Sequence, residues 1–289
     1  LDNQGIGGHP RGLKVLFFTE MWERFSYYGM RALLVLYVTL EVSKGGLGFS
    51  DKRAGIIYAF YTFGVYILSL PGGWVADRYL GYRKSVLLGG ILIALGEFSL
   101  AVGPVPFFYG GLTLIILGTG LLKTNCTTLV GKLYAEQDHR RDAGFSIYYM
   151  GINIGALVAP LVLGFMAQDP RFVAFLASVG LGSANGWRCA FVVAGLAMVA
   201  GLIQFTLQQH KLGDAGLKAG AQVTEHGHQT AHEPLTSEEI KRMSVVFILF
   251  FFSVLFWATF EQAGSTLNLF ADRMTDCTIG GYAFPSTWF

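Results

Sequence analysis

Seven apolar blocks, each of about 20 residues or more and separated by short charged stretches, constrain this 289-residue chain more than any other feature. A helix needs that length to cross a bilayer, and only a helix or a closed barrel can satisfy its own backbone N–H and C=O groups where water is absent. The blocks lie at 13–40, 54–76, 84–102, 108–133, 144–167, 188–209 and 243–271. Charge is scarce to match: 14% of residues are charged and 53% hydrophobic, where soluble domains carry roughly a quarter charged. A net charge of +2 gives no case for nucleic acid as a partner. Cys126, Cys189 and Cys277 are too few and too scattered for a disulfide framework or a metal or redox motif, and inert packing is expected of them.

Basic residues are retained on the cytoplasmic side of a membrane. The N-terminus and the second, fourth and sixth connections hold twelve Lys and Arg, among them Arg78, Arg83 and Lys132, against six in the alternate set. A multi-pass protein with a cytoplasmic N-terminus follows. The polar start and the charges in the first block are unlike a cleaved signal peptide, so that block reads as a spanning helix. The sixth connection is the long hydrophilic one. Its His226, His228 and His232 have no Cys or carboxylate cluster around them and read as part of a solvated linker, with no metal site expected. Thr236 and Glu239 then have the N-cap and capping-box spacing of a helix start. The missing initiator Met suggests a trimmed start, and Pro285-Ser-Thr-Trp-Phe289 reads as the opening of an eighth span cut short. The expected organisation is an N-terminal six-helix transmembrane bundle over 1–209, a cytoplasmic linker over 210–242, and a seventh helix opening a second bundle over 243–289.

Seven ionisable side chains fall inside the blocks: Glu20, Glu23, Arg24, Arg31, Glu97, Lys123 and Glu261. Each would cost several kcal/mol facing lipid, so such groups turn toward a bundle interior or an aqueous cavity and pair there. On a helical wheel Glu20, Glu23, Arg24, Tyr27, Tyr28 and Arg31 share one stripe of about 140°, while Met21, Trp22, Phe25, Gly29 and Met30 lie opposite and suit lipid or neighbouring helices. Glu97, near the outer end of the third block, reads as interfacial or structural. Tyr27, Tyr66, Lys123, Asn153 and Glu261 all fall within about 6 Å of their blocks' midpoints, so polar groups from five helices meet at one depth. A midplane polar site between helices is where secondary transporters bind substrate. Gly151 and Gly155 form a GxxxG pattern, Gly111 to Gly120 is glycine-rich, and Pro71-Gly72-Gly73 and Pro160 can loosen their spans.

These residues also carry a resemblance. Glu20-Met-Trp-Glu23-Arg24-Phe25-Ser-Tyr27-Tyr28-Gly29 is similar to the ExxERFxYYG signature of proton-coupled oligopeptide transporters, a branch of the major facilitator superfamily. Gly73 to Lys84, with Asp77, Arg78 and Arg83, resembles that superfamily's cytoplasmic loop between helices two and three, and the segments around Lys123, Asn153 and Glu261 match as well. The resemblance implies an all-α integral membrane protein of that superfamily, truncated to the six-helix N-terminal bundle and the first helix of the second.

It also implies roles. Glu20, Glu23, Arg24 and Glu261 would couple proton movement to transport. Arg24, Tyr27, Tyr28, Arg31, Tyr66, Lys123, Asn153 and Glu261 would contact a di- or tripeptide, with Arg24 and Lys123 receiving its carboxylate. Arg31 and Lys123 would pair with Glu261 at an outer gate, and Asp77 and Arg78 would act in conformational change. No cofactor is expected beyond the proton as coupling ion, and the partners expected are a peptide, a lipid bilayer and no second copy, in the cell (inner) membrane. A proton-coupled symporter of nitrate or another organic anion is the alternative within the family. Without the rest of the second bundle the chain is not expected to transport. A seven-helix retinal protein would want a lysine in the last block, and an intramembrane enzyme an HExxH or GxSG motif, and neither is found.

Overall fold

The computed structural model describes residues 5–182, 185–217 and 236–288. His226, His228 and His232 lie outside them. The helices are α1 (Arg11–Thr39), α2 (Asp51–Ile67), α3 (Ser69–Val75), α4 (Tyr82–Val102), α5 (Val105–Lys132), α6 (Arg141–Gln168), α7 (Pro170–Ser178), α8 (Gly186–Gln208), α9 (Ser237–Phe260) and α10 (Thr266–Met274). Six helical segments are long and apolar enough to cross a membrane. The 29-residue α1 has the length but interrupts its apolar run with the charges it hides.

Helix α1 is the centre of the bundle, packed on α6 and α8, while α4 lies against α5 and α8. The side expected to suit lipid or helices meets helices: Phe25, Gly29 and Met30 are buried, with Gly29 against Ala159 and Leu163 of α6 and Trp22 against Gly201 of α8. Two apolar cores result. One gathers Met30, Leu33, Tyr37, Phe108 and Phe191, the other Leu16, Val86, Leu122, Leu129 and Phe205. Between them α1 contributes Thr19, Glu20, Glu23 and Arg24, all buried, so the charge sits in a belt between two hydrophobic seals.

Glycines set how closely the helices cross. A Cβ on Gly155 would strike the Met21 carbonyl and the Arg24 Cβ, so the GxxxG face of α6 is what lets α1 bring Arg24 to its place. Gly96 meets Gly111 and Gly89 meets Gly118 backbone to backbone across α4 and α5. Pro160, by contrast, sits within a continuous α6.

Two expected spans are broken. The second divides at Leu68 into α2 and α3 and ends in a π turn, Ala76–Leu80, closed by Gly81 at φ 76°, a conformation glycine adopts without strain. The seventh stops at Phe260, passes through a 3₁₀ turn, Glu261–Gly264, and resumes as α10 after Ser265. Gly264 explains the pinch, because a Cβ there would collide with the Tyr58 hydroxyl and the Arg31 guanidinium. The capping box at Thr236 and Glu239 is present, each side chain bonding the other's backbone N–H.

The connection from α6 to α8 holds the short helix α7, started by Asp169, which accepts the Arg171 N–H at 2.8 Å. After α10 come the hairpin β1 (Thr278–Ile279) and β2 (Tyr282–Ala283) and a 3₁₀ turn at Ser286–Trp288. This turn lodges against α6 through Gln168 and the Leu161 carbonyl. The described side chains of α9 are exposed throughout, and its segment meets the bundle chiefly through residues 261–288.

Candidate functional site

The belt on α1 is a closed ion cluster. Arg24 Nε lies 3.1 Å from Glu20 Oε1 and pairs with Glu23 Oε2. Tyr148 of α6 donates its hydroxyl to Glu20 Oε2 at 2.6 Å. The guanidinium also lies over the Tyr27 ring at 4.9 Å, and Tyr27 stacks on Tyr61 of α2 at 6.2 Å. The three charged side chains are at most 3% exposed. One Arg24 guanidinium nitrogen, Nη2, and Glu23 Oε1 have no hydrogen-bond partner among the described residues, a costly condition that marks the cluster as able to take another group.

About two turns further along α1, a second constellation joins three helices. Arg31 Nη2 pairs with Glu261 Oε2 at 2.8 Å, Arg31 Nε donates to the Tyr58 hydroxyl at 2.7 Å, and that hydroxyl donates to the same Glu261 oxygen at 3.0 Å. The break after Phe260 is what points Glu261 at α1 and α2. Farther out, Arg273 clasps Asp51 with two bonds of 2.7 and 2.9 Å, and Asn268 donates to the Ala32 carbonyl at 2.8 Å. The outer half of the α9–α10 segment is thereby held to α1 and α2. A cleft of about 620 Å³ opens beside these contacts, lined in part by Tyr58, Glu261 and Arg273. On the same end Asp169 accepts from Arg171 and from the Tyr282 hydroxyl. The Arg171 hydrogen bonds hold the Asp169 carboxyl down at about 2, so this tie stays ionised through any mildly acidic medium and is lost only as pH falls toward that value.

Lys123 takes a partner other than the one expected. Its ammonium stands 4.4 Å over the Tyr66 ring and forms no ion pair with Glu261, so among the described residues Arg31 is the basic partner of that contact. Tyr66 is half exposed, and Asn153 is exposed on α6 with its amide donated to the Tyr149 carbonyl at 3.0 Å. Lys123, Tyr66 and Asn153 thus border the uncovered face of the bundle, whereas Tyr27 is 4% exposed and serves as packing for Arg24. Of the two readings of Glu97, interfacial or structural, the interfacial one does not hold: it is fully buried, its Oε1 accepting from Ser26 of α1 at 3.1 Å.

At the opposite end of the bundle Asp77 accepts from the Tyr82 hydroxyl, and Arg78 lies 6.0 Å from the Trp74 ring centroid; both are exposed. With a buried Arg24 cluster, a three-helix outer contact and this loop on one bundle, comparison with known proteins becomes decisive. The POT family matches residues 83–212 and 207–289, well over half of the chain.

The chain belongs to the POT family.

Among its relatives are an uncharacterized transporter of Bacillus subtilis, 36% identical over all of this chain and 65% of its own length, and a peptide transporter of Yersinia enterocolitica, 34% identical over 98% and 64%. A di-/tripeptide transporter of Lactococcus lactis is 49% identical over 60% of this chain and 36% of its own. The chain therefore spans just under two thirds of the first two relatives. A crystal structure of a peptide transporter in complex with alafosfalin superposes with a TM-score of 0.80 at 34% identity, over all of this chain and 66% of that one. A POT family structure with 5-aminolevulinic acid gives 0.77 at 28%, again over all of this chain and 68% of its own. The fold is that of an integral membrane transporter of the major facilitator type.

Several residues that the geometry places in this POT bundle's machinery escaped sequence reasoning. Tyr58 and Tyr148 supply the hydroxyls that complete the two clusters, yet in sequence they look like any packing tyrosine. Arg83 is the other. Buried at the start of α4, it donates to the carbonyls of Ala215 (2.7 Å) and Gly213, anchoring the chain that leaves α8. Its motif was visible, its partner was not.

Proposed function

We propose that this chain is the N-terminal bundle and seventh helix of a proton-coupled symporter of di- and tripeptides that works by alternating access, a transporter and not an enzyme. The observation that carries the reading is the buried Glu20–Arg24–Glu23 cluster with an unpartnered guanidinium nitrogen. Two carboxylates against one guanidinium leave a negative charge that a single proton neutralises, and a dry site favours that balance. Once Glu23 holds the proton, its grip on Arg24 weakens and the guanidinium can turn to a peptide carboxylate, with Lys123 as the second cation. Asn153, Tyr28 and Tyr66 supply polar and aromatic walls. Arg31, Tyr58 and Glu261 form the outer gate, and Asp77 and Arg78 act at the inner loop.

The geometry supports an outer side that is shut: Arg31, Asp51, Ala32 and Gln168 all hold the 261–288 segment, while α9 diverges from the bundle below it. The Lys and Arg bias supports a cytoplasmic N-terminus in the cell (inner) membrane. In this reading the protein acts as a monomer surrounded by lipid, with the proton as coupling ion and no further cofactor.

Peptide is favoured over nitrate by the peptide and di-/tripeptide transporters among its relatives. Competition decides it. In proteoliposomes holding the complete transporter, labelled dialanine uptake should fall to background with excess unlabelled trialanine and stay unchanged with excess nitrate. The reverse pattern would make the substrate an inorganic anion.

A further inference from the structure

Glu97 has no place in the machinery described so far. It lies in the last third of α4, five residues before Val102, and it is 0% exposed. Its Oε1 accepts one hydrogen bond, from Ser26, and its Oε2 has no partner among the described residues. No Lys, Arg or His lies within ion-pair distance among the described residues. What faces α4 from α5 is Gly111, Ile115, Gly118 and Leu122, and from α8 Gly195, Met198 and Leu202, all without charge; Arg188 reaches only Gly103 at the far end. From α2 comes Tyr61, which stacks on Tyr27 and whose hydroxyl is also buried without a partner among the described residues. A carboxyl in such a setting can persist only as the neutral acid, since one hydroxyl cannot replace the hydration of a carboxylate.

The acid has a neighbour to exchange with. Ser26 follows Glu23 by three residues, so the two lie on one face of α1 with about 5–6 Å between their Cβ atoms. The Ser26 hydroxyl donates to Glu97 and sits on the same face of α1 as Glu23, whose Oε1 is unpartnered among the described residues. A hydroxyl can donate to one carboxyl while accepting from another. Unpartnered oxygens on Glu23, Tyr61 and Glu97 are also the kind of buried polar set that a single internal water bridges.

We propose that Glu97 is a second proton-holding residue of the transport cycle, exchanging one proton with Glu23 by way of Ser26. The step balances without any other reactant: the Glu23 O–H bond breaks as the Ser26 oxygen accepts, the Ser26 proton passes along its existing hydrogen bond to Glu97, and one carboxylate is exchanged for another; the return step reverses both transfers. Holding the proton on α4 keeps it off the face that water and peptide reach. Arg24 can then re-form its pair with Glu23 before the proton leaves the protein.

This inference rests on the proton-symport reading, and the test separates the two. In proteoliposomes of the complete transporter, Glu97→Gln replaces a neutral acid with an amide of the same shape, so a purely structural role would survive it. Proton-driven dialanine uptake divided by dialanine counterflow should fall about tenfold or more. The pH profile of uptake should shift, and Ser26→Ala, which keeps the carboxyl and removes the bridge, should give the same split. Infrared difference spectra between peptide-free and peptide-bound protein should lose a protonated-carboxyl band in Glu97→Gln. If wild-type uptake follows the proton gradient and Glu97→Gln matches it in ratio, pH profile and spectrum, Glu97 is a static hydrogen-bond acceptor and the inference is wrong. If wild-type uptake ignores the gradient, the symport reading fails first.

Discussion

Arg24→Ala should reduce peptide uptake by the complete transporter by about a hundredfold or more, the largest loss expected of any single change in this bundle. The guanidinium is the one cation paired with Glu20 and Glu23 and also covers the Tyr27 ring. Removing it strands two buried carboxyls between the apolar cores, and breaking a buried pair from one side costs about 3–5 kcal/mol. The protein's escape is to protonate both acids, which abolishes the charge alternation that coupling needs. Arg24→Lys should recover folding more than function, because an ammonium keeps the charge but lacks the planar fork that reaches Glu20 and Glu23 together. Thermal melting in detergent and initial uptake rates, measured side by side, check both parts. An Ala variant that melts and transports like the wild type would remove Arg24 from the centre of the account.

The second large effect concerns the outer gate. Arg31, Tyr58 and Glu261 meet in a triangle with sides of 2.7, 2.8 and 3.0 Å, bridging α1, α2 and the break after α9. The Arg31 and Glu261 side chains are 11% and 20% exposed, so the pair is only weakly screened. Glu261→Gln removes its charge and should shift the population toward the outward-open form by about 1–3 kcal/mol, or roughly 5- to 150-fold. A single cysteine at Ala59, an exposed position beside Tyr58 in the cleft, reports this in a background without Cys126, Cys189 and Cys277. Its modification from outside should speed up in Glu261→Gln and in Tyr58→Phe, and uptake should fall in both. Asp51→Asn should do far less, because that exposed pair with Arg273 is worth at most about 1 kcal/mol. Labelling rates unchanged by Glu261→Gln would mean that the triangle does not hold the gate.

Much of this was legible in the residues themselves. Long apolar blocks set the spans because the bilayer sets a minimum helix length, and the few charges inside them had to pair. The wheel on α1 therefore foretold a polar stripe, and Arg24 does lie with Glu20 and Glu23, as Arg31 does with Glu261. What could not be read were choices made by packing. Lys123 had two partners in reach of its depth, an acid and an aromatic face, and the crossing of α2 with α5 gives it Tyr66. The break at Glu261–Gly264 involves no proline; it exists because Gly264 passes so near Tyr58 and Arg31. Glu97 reads in the sequence as interfacial or structural because depth says nothing about which neighbour covers a side chain; α1 covers this one.

The central claim is that a proton neutralising the Glu23 side of the cluster drives peptide movement, and one measurement bears on it most directly. Dialanine accumulation by the complete transporter is followed in liposomes with and without an imposed inward proton gradient, for the wild type and for Glu23→Gln. The account predicts gradient-driven accumulation in the wild type and none in Glu23→Gln. Equal uptake with and without the gradient, or accumulation by Glu23→Gln at the wild-type level, would contradict it.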